Sequence, residues 1–300
     1  MSEKYKSVPM LFLKTLVFTT VLLGGTVFIL SDFVENYKEQ EAAKNTEITV
    51  SEHKKPDNAL SLTTLLIMGE NGSQSGTSFL LMRFKADEEK LFVTPLPCSM
   101  MCQSVTDSMT AFQFFRKNGA ESAKKAISET LNIPIEKYVF LDNTGLATSI
   151  DSLCTGVEYP VPYDIKYYSE SLDENVFIPM GNIFLDGNRI RQYLSTPSFS
   201  DKYKSEQSAF ILCYAIKNTT YENALSFSEN AGLYESFFSS DISQDEFLSR
   251  LECFKNIEDE NFTEIIFPMG EWQSGAYYPS TDFKNYLSEK FGVRKLAEIS

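Results

Sequence analysis

Short apolar runs separated by polar turns dominate the chain after residue 60. Residues 62–68 (LTTLLIM) form one such run, which ends at Gly69. Residues 79–84 and 90–94 form two more, and only the polar segment KADEE separates them. Apolar runs of this length, bounded by turn residues, are typical of β-strands. The pattern therefore predicts a strand at 62–68 and a β-hairpin over 79–94.

Helical patterns alternate with strand patterns further along. In AESAKKAISETL, residues 120–131, apolar side chains recur every three to four positions, and an Asn-Gly turn signal precedes them. This spacing predicts a helix over 120–131. Residues 138–141 then predict a strand, and residues 143–153 predict a helix that begins at an Asn or Thr cap.

The last hundred residues continue this alternation. The same criteria predict helices over 206–216, 243–254 and 280–291 and a strand over 263–267. Alternating strands and helices indicate an α/β fold, and we predict a three-layer sandwich in which helices flank a central mixed β-sheet.

One apolar stretch near the N-terminus is long enough to cross a bilayer. Residues 11–30 contain a single charge in twenty positions, and about 20 residues span the hydrocarbon core as a helix. A cleaved signal peptide is the alternative, but the stretch is long for one and no small-x-small site follows it. We therefore predict one transmembrane helix at 11–30 after a cytoplasmic N-terminus at 1–10. A polar extracellular stalk at 31–60 and an extracellular domain at 61–300 complete the prediction.

The charge distribution sets the expected orientation and removes one class of function. The first thirty residues carry three lysines and one glutamate, which leaves 24 basic and 40 acidic residues for the remainder. The positive-inside rule then places the N-terminus in the cytoplasm and the body outside. A formal net charge of -14 also argues against nucleic-acid binding, because that affinity rests on Lys and Arg at phosphates.

Histidine and cysteine usage limits the chemistry that remains. The single histidine, His53, falls in the predicted stalk, so the domain cannot supply a Ser-His-Asp triad or a multi-histidine metal site. Five cysteines are an odd number and too few for a disulfide scaffold. Cys98 and Cys102 form CSMMC, which is either a local disulfide or a pair of buried thiols, and the second pair of ligands that zinc needs is missing.

A glycine- and hydroxyl-rich loop follows the first predicted strand. The sequence GENGSQSGTS can present backbone N–H groups to a phosphate, although an ordinary strand connection has the same composition. It is not a P-loop, because no Gly-Lys-Ser/Thr follows it.

Read in order, several blocks of the body resemble the LytR-CpsA-Psr (LCP) family of membrane-anchored cell-envelope proteins. LTTLLIMGE is similar to the family's first strand ending in Gly-x-Asp, and SGTSFLLMRFKADEEKLFVTPLPCSM to its RSDT block, hairpin and PRDT block. The segment from TAFQFFRKNG to GVEYPVP is similar to its helix, central strand and following region. IPMGNIFLDGNRIRQYL looks like the family's LDG block, and FPMGEWQSGAYYPSTDFKNYL like its C-terminal strand and helix. The resemblance covers most of residues 62–290.

This resemblance implies a function and a set of site positions. Family members transfer lipid-pyrophosphate-linked glycopolymers to peptidoglycan, with arginines and acidic residues gripping the pyrophosphate and a magnesium ion. Such chemistry needs guanidinium groups and a hard cation on carboxylates. Glu70 stands at the first acidic position and is the expected magnesium ligand. The other positions that match family motifs predict ligand-binding residues: Gln74, Ser75, Thr77, Ser99, Ser195 and Gln207.

The family's catalytic arginines are missing from these positions. None of the six arginines of the chain matches one, and Arg189 and Arg191, which lie after the LDG turn, are the nearest candidates. An exposed helix position is the other interpretation of both. We therefore predict a degenerate LCP protein, a pseudoenzyme that binds a polyprenyl-phosphate lipid or a wall glycopolymer with weak or no phosphotransferase activity. Two alternatives stay open: an active transferase with magnesium on Glu70 and phosphate on Arg189 or Arg191, and a non-catalytic scaffold or regulator of envelope assembly.

Overall fold

The computed structural model describes residues 60–69, 74–103, 107–169, 173–229, 238–251 and 262–293. All of them belong to one unit, Lys55–Ser300. No helix within these ranges is long and apolar enough to cross a membrane. The predicted transmembrane helix at 11–30 and the stalk lie outside the described residues.

A six-stranded mixed sheet forms the centre of the described body. Its six strands are β1 (Leu62–Met68), β2 (Ser78–Lys85), β3 (Lys90–Leu96), β6 (Lys137–Leu141), β11 (Phe238–Ser240) and β12 (Thr263–Ile265). Their order across the sheet is β11, β6, β1, β2, β3, β12. β1 pairs with β2 and β2 with β3 in antiparallel fashion, whereas β6 runs parallel to β1 and β12 parallel to β3. The central strands are buried on both faces, as expected of strands covered by helices on each side.

The remaining elements surround this sheet. The helices are α1 (Ala111–Leu131), α2 (Asn143–Cys154), α3 (Gly187–Leu194), α4 (Asp201–Asn218), α5 (Tyr221–Glu229), α6 (Gln244–Leu251) and α7 (Thr281–Phe291). Four two-stranded ribbons pair β4 (Met101–Gln103) with β5 (Ser108–Thr110), β7 (Val157–Val161) with β10 (Gly181–Leu185), β8 (Ile165–Ser169) with β9 (Glu174–Ile178), and β13 (Gly270–Gln273) with β14 (Ala276–Pro279).

Successive residues of the central strands enter two separate hydrophobic clusters. Leu66 and Met68 of β1 pack with α2, α3 and α4, whereas Leu65 and Ile67 pack with α1 and α7. Because side chains alternate along a strand, one apolar run supplies both layers. The predicted three-layer arrangement of a mixed sheet between helices is therefore confirmed.

Most predicted elements are present with shifted ends. The predicted hairpin joins β2 to β3, and the predicted helix at 120–131 is the second part of α1. The Asn-Gly turn signal marks a kink inside α1, where Gly119 has a φ of 79°. The helix predicted at 206–216 begins five residues earlier, at Asp201, after the N-cap Ser200. The ribbons between 157 and 185 were not among the predicted elements.

The buried Arg83 fastens the C-terminal helix to the sheet. Its Nε donates to the carbonyl of Phe291 at 3.2 Å, and its Nη1 donates to Thr63 Oγ1 at 3.0 Å. Thr63 lies at the beginning of β1 and pairs with Arg83 of β2. Arg83 therefore stabilises the end of the sheet where β1 begins. Gly69 lies at the opposite end of β1.

Candidate functional site

Three chain segments meet where β1 ends. Gly69 follows β1 with a φ of 116°, and a Cβ atom there would lie 1.8 Å from the carbonyl oxygen of Gly76. Only glycine permits the short 3-10 turn Gln74–Gly76 to approach β1 so closely. The thiol of Cys98, after β3, donates to the Thr77 carbonyl at 3.0 Å. The predicted hydroxyl-rich loop and the segment after β3 are thus adjacent.

Asp201 binds the segment after β3 from the opposite side. Its Oδ1 accepts the backbone N–H of Cys98 at 2.9 Å, and its Oδ2 accepts the backbone N–H of Ser99 at 2.7 Å. The Ser99 hydroxyl also donates to Oδ2. Asp201 is the first residue of α4, where the helix dipole favours a negative charge. The carboxylate therefore joins α4 to the end of the central sheet.

Lys204 is a buried cation one helical turn after Asp201. Only 4% of its surface is exposed, and its ammonium makes no hydrogen bond or ion pair with any described residue. Burial lowers the pKa of Lys204, and the nearby Asp201 carboxylate opposes that effect. The stem of Lys204 is therefore buried, and its ammonium has donors available for an anion.

Gln207 lies three residues further along and therefore on the same side of α4 as Lys204. Its Oε1 accepts the hydroxyls of Tyr159 at 2.6 Å and Tyr193 at 2.9 Å. Burial raises the pKa of both tyrosines, which keeps their hydroxyls protonated as donors. The amide NH2 of Gln207 has no hydrogen-bond partner within the described ranges, although the side chain is buried. Two unpartnered donors, an ammonium and an amide, thus share one helix face.

The structure brings together only some of the predicted ligand-binding residues. Thr77 and Ser99 are buried beside Cys98, and Gln207 lies in the tyrosine network. Gln74 is exposed, and the half-buried Ser195 ends α3, where its N–H donates to the Arg191 carbonyl at 3.0 Å. The Ser75 side chain and Glu70 lie outside what the structure describes.

The two candidate arginines lie on α3, whereas Asp201 lies on α4. Arg189 is exposed, and neither arginine forms a hydrogen bond or ion pair with a described side chain of the Asp201 and Lys204 cluster. Arg191 is half-buried, and its Nε is buried without a hydrogen-bond partner in the described part of the chain. Burial raises the pKa of Tyr167 on β8 to about 12, and the positive charge of Arg191 partly opposes this rise.

The described cysteines are free thiols, and all of them except the half-buried Cys213 are buried. Cys98, Cys102, Cys154 and Cys213 are free, and Cys253 lies outside the described residues. Burial raises the pKa of Cys98 well above its usual range and that of Cys102 to about 12. The local disulfide in CSMMC is therefore not formed, and neither thiol is an activated nucleophile.

Sequence reasoning missed Asp201 and Lys204, the two charged residues of this cluster. The available signal was the N-cap Ser200 followed by Asp201, Lys204 and Gln207 at intervals of three. That spacing places charged and amide groups on one helix face, which here points toward the protein interior.

Comparison with known proteins identifies the family. The model described as the LytR_cpsA_psr family matches residues 27–289, which is most of the chain. The chain belongs to the LytR_cpsA_psr family. It is thus a member of a family of cell-envelope proteins, as the resemblance of the ordered blocks indicated. Among curated proteins, none matches the chain by sequence.

Solved structures share the fold of this LytR_cpsA_psr protein. A putative transcription regulator from Eubacterium siraeum is 17% identical with a TM-score of 0.67, and the match covers 83% of this chain and 99% of that one. B. subtilis TagV is 16% identical with a TM-score of 0.65, over 79% of this chain and 96% of that one. TagT bound to LIIa-WTA is 17% identical with a TM-score of 0.61, over 82% and 95%. At these identities the likeness concerns the fold.

Within the described ranges no three His, Cys, Asp or Glu side chains group together as ligands. Both oxygens of Asp201 already accept hydrogen bonds from the protein. Magnesium on Glu70 remains a prediction.

Proposed function

We propose that this LytR_cpsA_psr protein is a degenerate member that binds the phosphate of a polyprenyl-phosphate lipid or a lipid-linked wall glycopolymer, with weak or no phosphotransferase activity. The observation that carries the proposal is the buried Lys204 side chain, whose ammonium makes no hydrogen bond or ion pair with the described residues. Family membership supports the substrate class.

Lys204 and Gln207 are suited to bind an anion together. The ammonium supplies a charge, and the amide NH2 of Gln207 supplies a neutral donor one turn away. Tyr159 and Tyr193 fix the orientation of that amide by donating to its oxygen. A phosphate with several oxygens can accept from both groups, and charge-assisted bonds of this kind are about twice as strong as neutral ones.

The same arrangement is poorly suited to rapid phosphoryl transfer. Developing charge on a transferred phosphoryl group is normally neutralised by several cations placed around it. Here one lysine stands in the described cluster, and Arg189 and Arg191 lie on another helix. The Asp201 carboxylate is engaged by Cys98 and Ser99. These residues are therefore suited to bind a phosphate group but poorly suited to transfer it.

We further propose that residues 11–30 anchor the protein in the membrane, with the N-terminus in the cytoplasm and the domain outside. The apolar stretch and its flanking lysines support this orientation. It would hold the domain at the surface where lipid-linked polymers are presented.

Binding of inorganic pyrophosphate and of a short polyprenyl phosphate to the full-length protein in nanodiscs tests the proposal. We expect Lys204→Met to weaken both at least tenfold, because a charge-assisted contact is worth about 1.5–3 kcal/mol. Lys204→Arg should retain most of the affinity. Lys202→Met is the matched control, since Lys202 lies on the same helix but is exposed. Equal affinities of Lys204→Met and the unaltered protein would contradict the proposal.

A transfer assay separates the proposal from the active transferase. Incubation with a polyprenyl-pyrophosphate substrate and magnesium should release lipid slowly or not at all. Rapid release that Glu70→Ala abolishes would contradict the weak activity and support the transferase. Absence of any lipid or pyrophosphate binding would instead support the scaffold.

A further inference from the structure

Residues 157–185 form a long hairpin with one buried and one exposed side. Residues 162–164 lead from β7 into β8, and residues 179–180 lead from β9 into β10, so the two ribbons follow one another. Alternate side chains of both ribbons enter the same hydrophobic cluster, which also contains α3 and α4. The side chains between them point away from that cluster. We call this side the outer face, and its exposed residues include Glu158, Lys166, Tyr168, Phe177, Asn182 and Phe184.

Large apolar side chains are exposed along this hairpin. Tyr168, Phe177 and Phe184 of the outer face are each more than half exposed, and so is Met180, which lies between the two ribbons. Single exposed apolar residues are common on soluble proteins, whereas several on one face mark a surface that contacts another molecule. The outer face is therefore a candidate interaction surface.

The charges of the outer face have a symmetric arrangement. Glu158 lies opposite Phe184 across the β7–β10 ribbon, and Lys166 lies opposite Phe177 across the β8–β9 ribbon. The Lys166 ammonium is 4.8 Å from the centroid of the Phe177 ring. One end of the face thus pairs an anion with an aromatic ring, and the other end pairs a cation with an aromatic ring.

Both pairs are centred on the same point of the hairpin. Pro162 is four residues from Glu158 and four from Lys166, and Met180 is close to the midpoint between Phe177 and Phe184. A two-fold axis that crosses the strands at this point, between two outer faces, places Lys166 of one copy opposite Glu158 of the other. The same axis places Phe177 opposite Phe184. Two-fold symmetry repeats each contact, so the face is complementary to itself.

The charged side chains remain available for such contacts. Glu158 forms no hydrogen bond or ion pair with any residue in the described ranges. It is eight residues from Lys166, up to about 26 Å in an extended strand, so the two cannot pair within one chain. Lys166 lies 3.7 Å from Asp164 Oδ2, but both side chains are largely exposed, and an exposed pair of this kind contributes little.

The polar residues of the outer face favour a second copy over a lipid surface. Glu158 and Asn182 lie on the same face as the exposed phenylalanine rings, and insertion of these rings into a bilayer would desolvate both polar groups without supplying partners. The residues after 30 also carry 24 basic and 40 acidic side chains, and this excess opposes approach to an anionic lipid surface. A second copy supplies a cation for Glu158.

We propose that the outer face of the hairpin 157–185 binds the same face of a second copy of this chain about a two-fold axis. The inference goes beyond the proposed function, since it does not involve Lys204 or a phosphate. The face is only two strands wide, so the dimer is weak and reversible, with a dissociation constant on the order of 10 μM.

Sedimentation velocity of the full-length protein in density-matched detergent tests the proposal by charge reversal. Lys166→Glu and Glu158→Lys should each weaken self-association at least tenfold, because each change replaces two attractive pairs per dimer by two repulsive ones. An equal mixture of the two variants should associate again, since every anion of one then meets a cation of the other. Lys125→Glu, at an exposed position of α1, is the control and should leave self-association unchanged.

Substitution of an aromatic residue tests the apolar part of the interface. Phe177→Ser should weaken self-association at least tenfold, whereas Phe177→Leu should retain most of it. Circular dichroism checks that each variant folds.

Three outcomes overturn the dimer. They are a monomer at every concentration, unchanged self-association in both charge-reversal variants, and failure of their mixture to associate. In each case, binding of the unaltered protein to phosphatidylcholine vesicles that Phe177→Ser abolishes would assign the outer face to the membrane surface instead.

Discussion

Asp201 holds Ser99 through two hydrogen bonds, one from the backbone N–H at 2.7 Å and one from the hydroxyl. The two residues are 102 positions apart in the chain, so this contact unites α4 with the end of β3. It defines the geometry of the candidate site, because Lys204 and Gln207 extend from the same helix.

Asp201→Asn should lower the free energy of unfolding by about 2 kcal/mol. The variant replaces a charged hydrogen-bond acceptor with a neutral one, and hydrogen bonds to charged groups are worth about 1.5–3 kcal/mol each. It also places an amide NH2, which is a donor, opposite a backbone N–H that needs an acceptor. Urea unfolding followed by circular dichroism measures the change. Asp282→Asn, in the first turn of α7, controls for the helix dipole, which is worth about 0.3–1 kcal/mol. Equal losses in both variants would show that the bonds to Cys98 and Ser99 contribute nothing.

Lys204→Met should raise the free energy of unfolding at pH 7 while it weakens anion binding. Substitution of a residue that serves function at the expense of stability is expected to raise the free energy of unfolding while it weakens binding. Such increases in the free energy of unfolding are commonly about 0.5–2 kcal/mol. Because the pKa of Lys204 is lowered on folding, the unfolded chain binds more protons at alkaline pH, and the unaltered protein gains stability there. The difference in free energy of unfolding between Lys204→Met and the unaltered protein should therefore be largest below the folded-state pKa of Lys204. It should disappear as the pH approaches 10.5. Urea titrations at pH 7 and pH 10 measure it. A variant less stable than the unaltered protein at both values would indicate a structural role for Lys204.

Tyr159 and Tyr193 should show strong coupling through Gln207. Tyr193→Phe alone leaves one hydroxyl on Gln207 Oε1 and should cost about 1 kcal/mol. Removal of both hydroxyls leaves a buried carbonyl oxygen unpaired, which adds about 1–3 kcal/mol, so the double variant should lose more than the sum of the single ones. Urea unfolding of all four proteins measures this cycle. Tyr286→Phe, at an exposed position, should change the free energy of unfolding by less than about 0.5 kcal/mol. Strict additivity would contradict the shared acceptor.

Gly69→Ala should destabilise the protein far more than Gly181→Ala. Both glycines have φ near 120°, but a Cβ on Gly181 meets nothing within 4 Å, whereas on Gly69 it meets the Gly76 carbonyl. We expect about 1–2 kcal/mol of backbone strain at Gly181 and about 3 kcal/mol or more at Gly69. Thermal and urea unfolding compare the two. Similar losses would mean that the turn at 74–76 moves away without cost.

Local pattern was sufficient for much of the fold. The doubly buried run of β1, the hairpin after it and the Asn143 helix were predictable, because a strand or helix with one apolar pattern depends on nearby residues. The ribbons between 157 and 185 were not predictable in the same way. β9 and β10 expose the aromatic residues Phe177 and Phe184 to solvent, so these two strands lack the ordinary contrast between buried apolar and exposed polar positions.

The residues of the candidate site were also predictable only in part. Ser99, Thr77 and Gln207 were predicted from their positions in family-like blocks, and the structure brings Ser99 and Thr77 together beside Cys98. Asp201 and Lys204 were missed because charged residues at a helix start are usually exposed, whereas in the folded protein Lys204 is buried and Asp201 binds the segment after β3. Arg189 and Arg191 follow the LDG turn in sequence, yet α3 leaves them outside the Asp201 cluster.

The family, the alternation of strands and helices, the excess of acidic residues and the lack of histidine in residues 61–300 could all be read from the amino-acid sequence. Each of these depends on residue types and their order along the chain. The folded structure was needed to show that Lys204 and Gln207 share a buried face of α4 and that Asp201 binds Ser99. The second relationship joins residues that lie far apart in sequence, and both arise from how the helices pack on the sheet.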